Sequence, residues 1–169
     1  MNKTDYALES FKNIQDLIKF ADQKAGAVLV IVGLVFSAFA QYLEKLTFSI
    51  DSITLVGALT FFTGGATVVC IITVLYLSIF KILKPRFAKN YNEGEISTFY
   101  FEHISKVGKD LNKRYENIND AEMLKDIIDQ QVEVSNILYE KNKNLAKSFV
   151  WLFYSVLILI VFISLTTQL

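Results

Sequence analysis

Apolar residues follow two patterns along this chain, and each predicts helix. Between residues 7 and 25 they stand at Ala7, Phe11, Ile14, Ile18, Ala21 and Ala25, a 4-3-4-3-4 spacing. That spacing lays one apolar stripe along a helix and matches a coiled-coil seam. No glycine or proline interrupts residues 5–25, so nothing local stops the helix before the uncharged run that follows. The second pattern is unbroken apolarity, in three blocks at 25–43, 53–80 and 149–165. A helix needs about 20 apolar residues to cross a ~30 Å hydrocarbon core, and over runs this long only a helix satisfies its own backbone in lipid.

The flanks fit that reading. Tyr42 closes the first block where an interfacial aromatic would sit; Lys81, Lys84 and Pro85 close the second; Trp151 and Tyr154 stand at the entrance to the third. A charged, amphipathic stretch precedes the first block, which has no small-residue cleavage site, so that span is expected to be retained and not removed as a signal peptide.

Of the 17 basic residues, four precede the first block, twelve lie within 81–147, and Lys45 alone lies in the loop 44–52. By the positive-inside rule the first two groups are cytoplasmic. The predicted organisation is a cytoplasmic amphipathic helix (1–24), a transmembrane helix (25–43), a short external loop (44–52) and a second transmembrane helix (53–80). A cytoplasmic helical domain (81–147) and a third transmembrane helix (148–168) complete it. The N-terminus is then cytoplasmic and the C-terminus external. The fold class is an all-α membrane protein, three transmembrane helices whose helical cytoplasmic extensions form a small bundle.

Within the cytoplasmic part, KNYNEGE reads as a turn after Pro85, and 97–111 reads as an amphipathic helix with Phe101, Ile104, Val107 and Leu111 on one face, beside the aromatic Phe99 and Tyr100. Periodicity breaks around RYENIND, and Asp120 is the predicted cap of a further helix carrying Leu124, Ile127, Ile128, Gln131, Val134, Leu138 and Leu145. No breaker separates that helix from the third block, so one helix of ~65 Å is expected over 121–165. A cytoplasmic bundle this small calls for a partner copy, and a homo-oligomer is expected.

Composition agrees and narrows the function classes. With 53% hydrophobic residues and a mean hydropathy of +0.38, the chain is too apolar for one ordinary soluble domain. Net charge is zero and the pI near 6.6, so there is no basic field for nucleic acid. Cys70 is the sole cysteine, which excludes an internal disulfide and a cysteine-based zinc site. His103 is the sole histidine, and the chain lacks a nucleophile elbow, a paired-histidine zinc motif and a phosphate-cradling glycine loop. No enzyme, metal or cofactor is expected.

Three features carry candidate chemistry. Asp22 and Lys24 stand at the entrance to the first span, either solvated and snorkelling or at the base of a polar pocket. Gly57, Ala58, Thr63, Gly64, Gly65, Ala66 and Thr67 give the second span a strip of small residues, suited to close helix packing or to a pore lining. Lys84 and Arg86 around Pro85, with Lys106, Lys109, Lys113 and Arg114, face water or anionic headgroups, or serve a pocket for a phosphate and a planar base.

DQKA at 22–25, Pro85 after the second span, STFYFEHI at 97–104 and DQQVEVSNILYEKN at 129–142 occur in that order around the spans. In this the chain resembles, over nearly its whole length, the transmembrane effector family of the Pycsar anti-phage systems. The resemblance implies that a separate cyclase makes cyclic CMP or cyclic UMP on infection. The effector would bind that nucleotide and impair the bacterial inner membrane, arresting growth or killing the cell. It also implies that Asp22, Lys24, Pro85, Phe101, Ile104, Gln130 or Gln131, and Lys141 are family-like positions. Lys24, Arg86 and Lys141 are assigned to the phosphate and polar contacts, and Tyr100, Gln130 and Gln131 to the base. Asp22, Pro85, Phe101 and Ile104 are assigned structural roles, and His103 is not carried over as a site. The competing readings are a non-enzymatic membrane scaffold, motivated by the seam of residues 7–25, and a holin-like pore.

Overall fold

The computed structural model describes residues 2–46, 54–85, 97–98, 103–105, 108 and 111–168, at Arg114 the backbone only. Helix α1 is Lys3–Leu43, α2 is Leu55–Tyr76 continued by a π-helical segment Leu77–Leu83, α3 is Leu111–Asn117 and α4 is Asp120–Thr166. No strand occurs among the described residues. Three of these helices, Lys3–Leu43, Leu55–Leu83 and Asp120–Thr166, are long and apolar enough to cross a membrane.

The seam of residues 7–25 continues along α1 well beyond Ala25. Ala7, Phe11, Ala21, Ala25, Val28, Val32, Val35 and Phe39 are buried, with Ile14, Ile18 and Tyr42 half-buried between and after them. Three- and four-residue steps therefore alternate through both the charged and the apolar parts of the helix, the geometry of knobs-into-holes packing. Gly26 and Gly33 do not break it, because helix is the only backbone arrangement that lipid permits there.

Helix α2 is capped by Thr54, whose hydroxyl accepts from the Gly57 N–H at 3.1 Å. Helical winding runs three residues past the apolar block, to Leu83, and closes as the Lys84 N–H reaches back five residues to the Ile79 carbonyl at 2.9 Å. Pro85, with no N–H to offer, follows and ends it.

Between α2 and α4 the structure differs from the helix predicted over 97–111. Among the described residues Ser97 and Thr98 are not α-helical, 103–105 are, and Gly108 has φ +55, a left-handed conformation that interrupts a right-handed α-helix. Phe99, Phe101 and Val107 lie outside the described residues, so much of the predicted apolar face does too.

The cap of α4 is Asn119, one residue before the expected Asp120. The Asn119 side-chain oxygen accepts from the Glu122 N–H at 2.9 Å, and the Glu122 carboxylate accepts from the Asn119 N–H at 3.4 Å, a reciprocal capping box. Asp120 instead places a carboxylate in the first turn, where the helix dipole favours it. From there α4 runs 47 residues, ~70 Å at 1.5 Å each.

The chain divides into two compact units, Met1–Phe20 with Pro85–Glu140, and Ala21–Lys84 with Lys141–Leu169. The first has a core of Ala7, Phe11, Ile127 and Val134, covered by Leu8, Ile14, Ile18, Met123 and Leu124. The second is built by all three long helices around Ala25, Val28, Val32, Val35, Phe39, Ile71, Val74, Ile82, Leu145, Leu152, Leu159 and Phe162.

Candidate functional site

In the first unit, residues of α4 hold neighbouring segments by directional bonds. Asp126 Oδ2 accepts from the Thr98 N–H at 2.7 Å and from the Thr98 hydroxyl at 2.6 Å, and the Ser97 N–H donates to His103 Nδ1 at 3.0 Å. A carboxylate taking both donors of one residue fixes that residue's backbone as well as its side chain. Ser97 and Thr98 are accordingly buried. His103 Nδ1 therefore serves as a hydrogen-bond acceptor for the backbone of Ser97.

Gln131 Nε2 donates to Ser10 Oγ at 2.7 Å, tying α4 to α1. Gln130 and Glu133, its neighbours on α4, are both buried. Amides are apt partners for a nucleobase edge, since each supplies a donor pair and an acceptor. Gln130 and Gln131 thus occupy the packed side of α4 in this unit.

In the second unit, the Lys141 ammonium pairs with Asp22 Oδ1 at 2.5 Å; the Lys141 side chain is 7% exposed and that of Asp22 36%. Lys141 stands on the buried side of α4, where Leu145 follows it, and Asp22 stands between the buried Ala21 and Ala25 of α1. A buried ammonium needs such a counter-charge. Asp22 and Lys141, the first assigned to structure and the second to ligand contact from sequence, are therefore brought together. Lys24, two residues on, is exposed.

Pro85 is exposed and Ile104 half-buried. Arg86, Tyr100 and Phe101 lie outside the described residues, as do Lys106 and Lys109; Lys113 is exposed. Among the described residues no three His, Cys, Asp or Glu side chains come together in a way that could hold a metal ion. The residues that sequence reasoning missed are Asp126, Ser97, Thr98 and Asn119. Asn119 followed at the third place by Glu122 is a legible capping signal; the Asp126 bonds carry none.

A family model described as the Pycsar effector protein domain matches residues 6–168. The chain is also 36% identical, over 98 residues, to a protein of Treponema porcinum named Pycsar effector protein TpPycTM, an alignment spanning 58% of this chain and 80% of that one. No solved structure matches the chain.

Proposed function

The chain belongs to the Pycsar effector family, and on that premise we propose that it binds a cyclic pyrimidine mononucleotide, cyclic CMP or cyclic UMP, and then impairs the inner membrane. Family membership makes it an anti-phage defence effector, and its three long apolar helices make it a membrane protein. Residues 1–24 and 81–147 lie on the cytoplasmic side and the C-terminus outside, an orientation that the distribution of basic residues supports. A separate cyclase supplies the nucleotide, and the effector acts as a homo-oligomer without catalysis. The residues assigned from the sequence to phosphate or polar contacts are Lys24, Arg86 and Lys141, and those assigned to the base are Tyr100, Gln130 and Gln131.

The observation that carries this reading is the course of α1 and α4. Each contributes residues to both compact units, so a ligand that repacks the first acts on helices that also supply two of the three spans. The test is the thermal stability of detergent-purified protein with cyclic CMP, cyclic UMP, cyclic AMP and cyclic GMP in turn. A ligand at ~100 times its Kd adds roughly 2.7 kcal/mol, which raises the melting temperature. A rise with one pyrimidine nucleotide supports the proposal. Folded protein that responds to none of the four overturns it.

A further inference from the structure

The seams of the three spans are not alike. On α1 the buried positions within the second unit are all apolar, ending in Val28, Val32, Val35 and Phe39. On α2 and α4 apolar residues are interspersed with hydroxyls, namely Thr60, Thr67 and Ser78, and Ser148, Ser155 and Thr166, every one of them buried. In membrane bundles such groups commonly join helices by hydrogen bonds across the interface. Here they do not. Thr60 donates to the Val56 carbonyl, Thr67 to Thr63, Ser148 to Leu145, Ser155 to Leu152 and Thr166 to Phe162, at 2.7–2.9 Å, each within its own helix. Ser78, fully buried in the π-helical segment, has a hydroxyl with no hydrogen-bond partner among the described residues.

An aromatic pair lies on the same seam. The rings of Phe39 and Phe162 are 5.0 Å apart at 42°, and both side chains are buried. Gly64 of α2 makes room for them: a Cβ there would lie 3.1 Å from Phe162 Cε2 and 3.8 Å from Phe39 Cε2. Residues of all three spans meet at this point.

From these observations we propose that the seam of the three spans is a closed conduction path for water and small hydrated ions, with Phe39 and Phe162 as its hydrophobic gate. It deepens, and rests on, the membrane-impairing function proposed above. Hydroxyls bonded to their own helices are satisfied while the bundle is shut, and they turn to water without loss when the spans part. Ser78, already short of a partner, gains one. The rings exclude water by dewetting, as apolar constrictions do in channels. The charge on this seam is the Lys141 ammonium, which Asp22 neutralises, so the path discriminates little between small cations and anions.

The experiment uses the full chain in phospholipid vesicles that hold potassium and a large dextran, without nucleotide. Phe162→Ala is expected to release potassium several-fold faster than wild type while retaining the dextran. Phe39→Leu, which keeps an apolar side chain of closer size than alanine but removes the ring pair, is expected to do the same more weakly and covers the case that the first variant misfolds. In a Cys70→Ala, Phe162→Ala background, Ser155→Cys followed by a charged thiol reagent is expected to block the flux. Three results would each overturn the gate: folded, inserted variants no leakier than wild type, dextran escaping as fast as potassium, or a leak that the reagent leaves unchanged. Because no nucleotide is present, none of these outcomes bears on binding, which the thermal shift reads separately.

Discussion

Several polar side chains in the unit of residues 1–20 and 85–140 bond to other segments of the chain, whereas, Ser78 apart, the hydroxyls buried among the three spans bond to their own helices. Asp126 holds Thr98 and Gln131 holds Ser10. Ser148, Ser155 and Thr166 hold nothing beyond the turn before them. The difference follows from what each unit has to fix. A small core of Ala7, Phe11, Ile127 and Val134 leaves the path of the intervening chain undetermined, and directional bonds determine it. The seam of the spans is already aligned by helix geometry, so its polar groups are free of that duty. Lys141 with Asp22 departs from the pattern, a charged pair joining α4 to α1 within an otherwise apolar and hydroxylated seam.

Substitutions can break or sharpen this contrast. The largest effect is expected from Phe11→Ala, which empties part of the smaller core and lowers stability by about 3–5 kcal/mol, read as loss of helicity on heating. Asp126→Ala leaves the buried donors of Thr98 without their acceptor and is expected to cost about 2–3 kcal/mol; amide exchange at Thr98 should accelerate in step. An unchanged exchange rate there would mean that the contact does not organise the segment.

Asp22→Ala strands the Lys141 ammonium. Because Asp22 is partly exposed, the expected cost is nearer 2 kcal/mol than the larger values of fully buried pairs, and adding Lys141→Met should recover most of it. A double variant as unstable as the single one would show that the pair does more than neutralise a charge. Gln131→Ala removes a neutral hydrogen bond to Ser10 and should cost about 1 kcal/mol. Ser155→Ala, at the bottom of the scale, should change stability by less than about 0.5 kcal/mol, since its hydroxyl only duplicates a bond that its helix already makes. A drop comparable to that of Gln131→Ala would erase the distinction between the two units.

Much of the architecture was legible because it is local. The 4-3 spacing from Ala7 to Ala25 and the three apolar blocks are properties of consecutive residues, and both reappear as long helices. Residues 97–111 misled because Phe101, Ile104, Val107 and Leu111 carry a helical period while Gly108 and the bonded Ser97 and Thr98 take the described backbone elsewhere. The π-helical segment at Leu77–Leu83 left no mark in the sequence, for its residues would suit an ordinary α-helix equally well. Of the candidate site, Lys24, Gln130, Gln131 and Lys141 could be chosen as residue types suited to a nucleotide, but nothing along the chain disclosed what each of them touches.

Composition and period by themselves determined the helical class, the number of long apolar helices and the face that α1 buries over residues 7–25, because hydrophobic burial and backbone satisfaction act residue by residue. Only the tertiary structure decided that Lys141 meets Asp22, 119 residues away, that Gln131 meets Ser10, and that Gly64 admits the rings of Phe39 and Phe162. Those pairings depend on the register of one helix against another, a quantity summed over the whole packed seam and carried by no single stretch of chain.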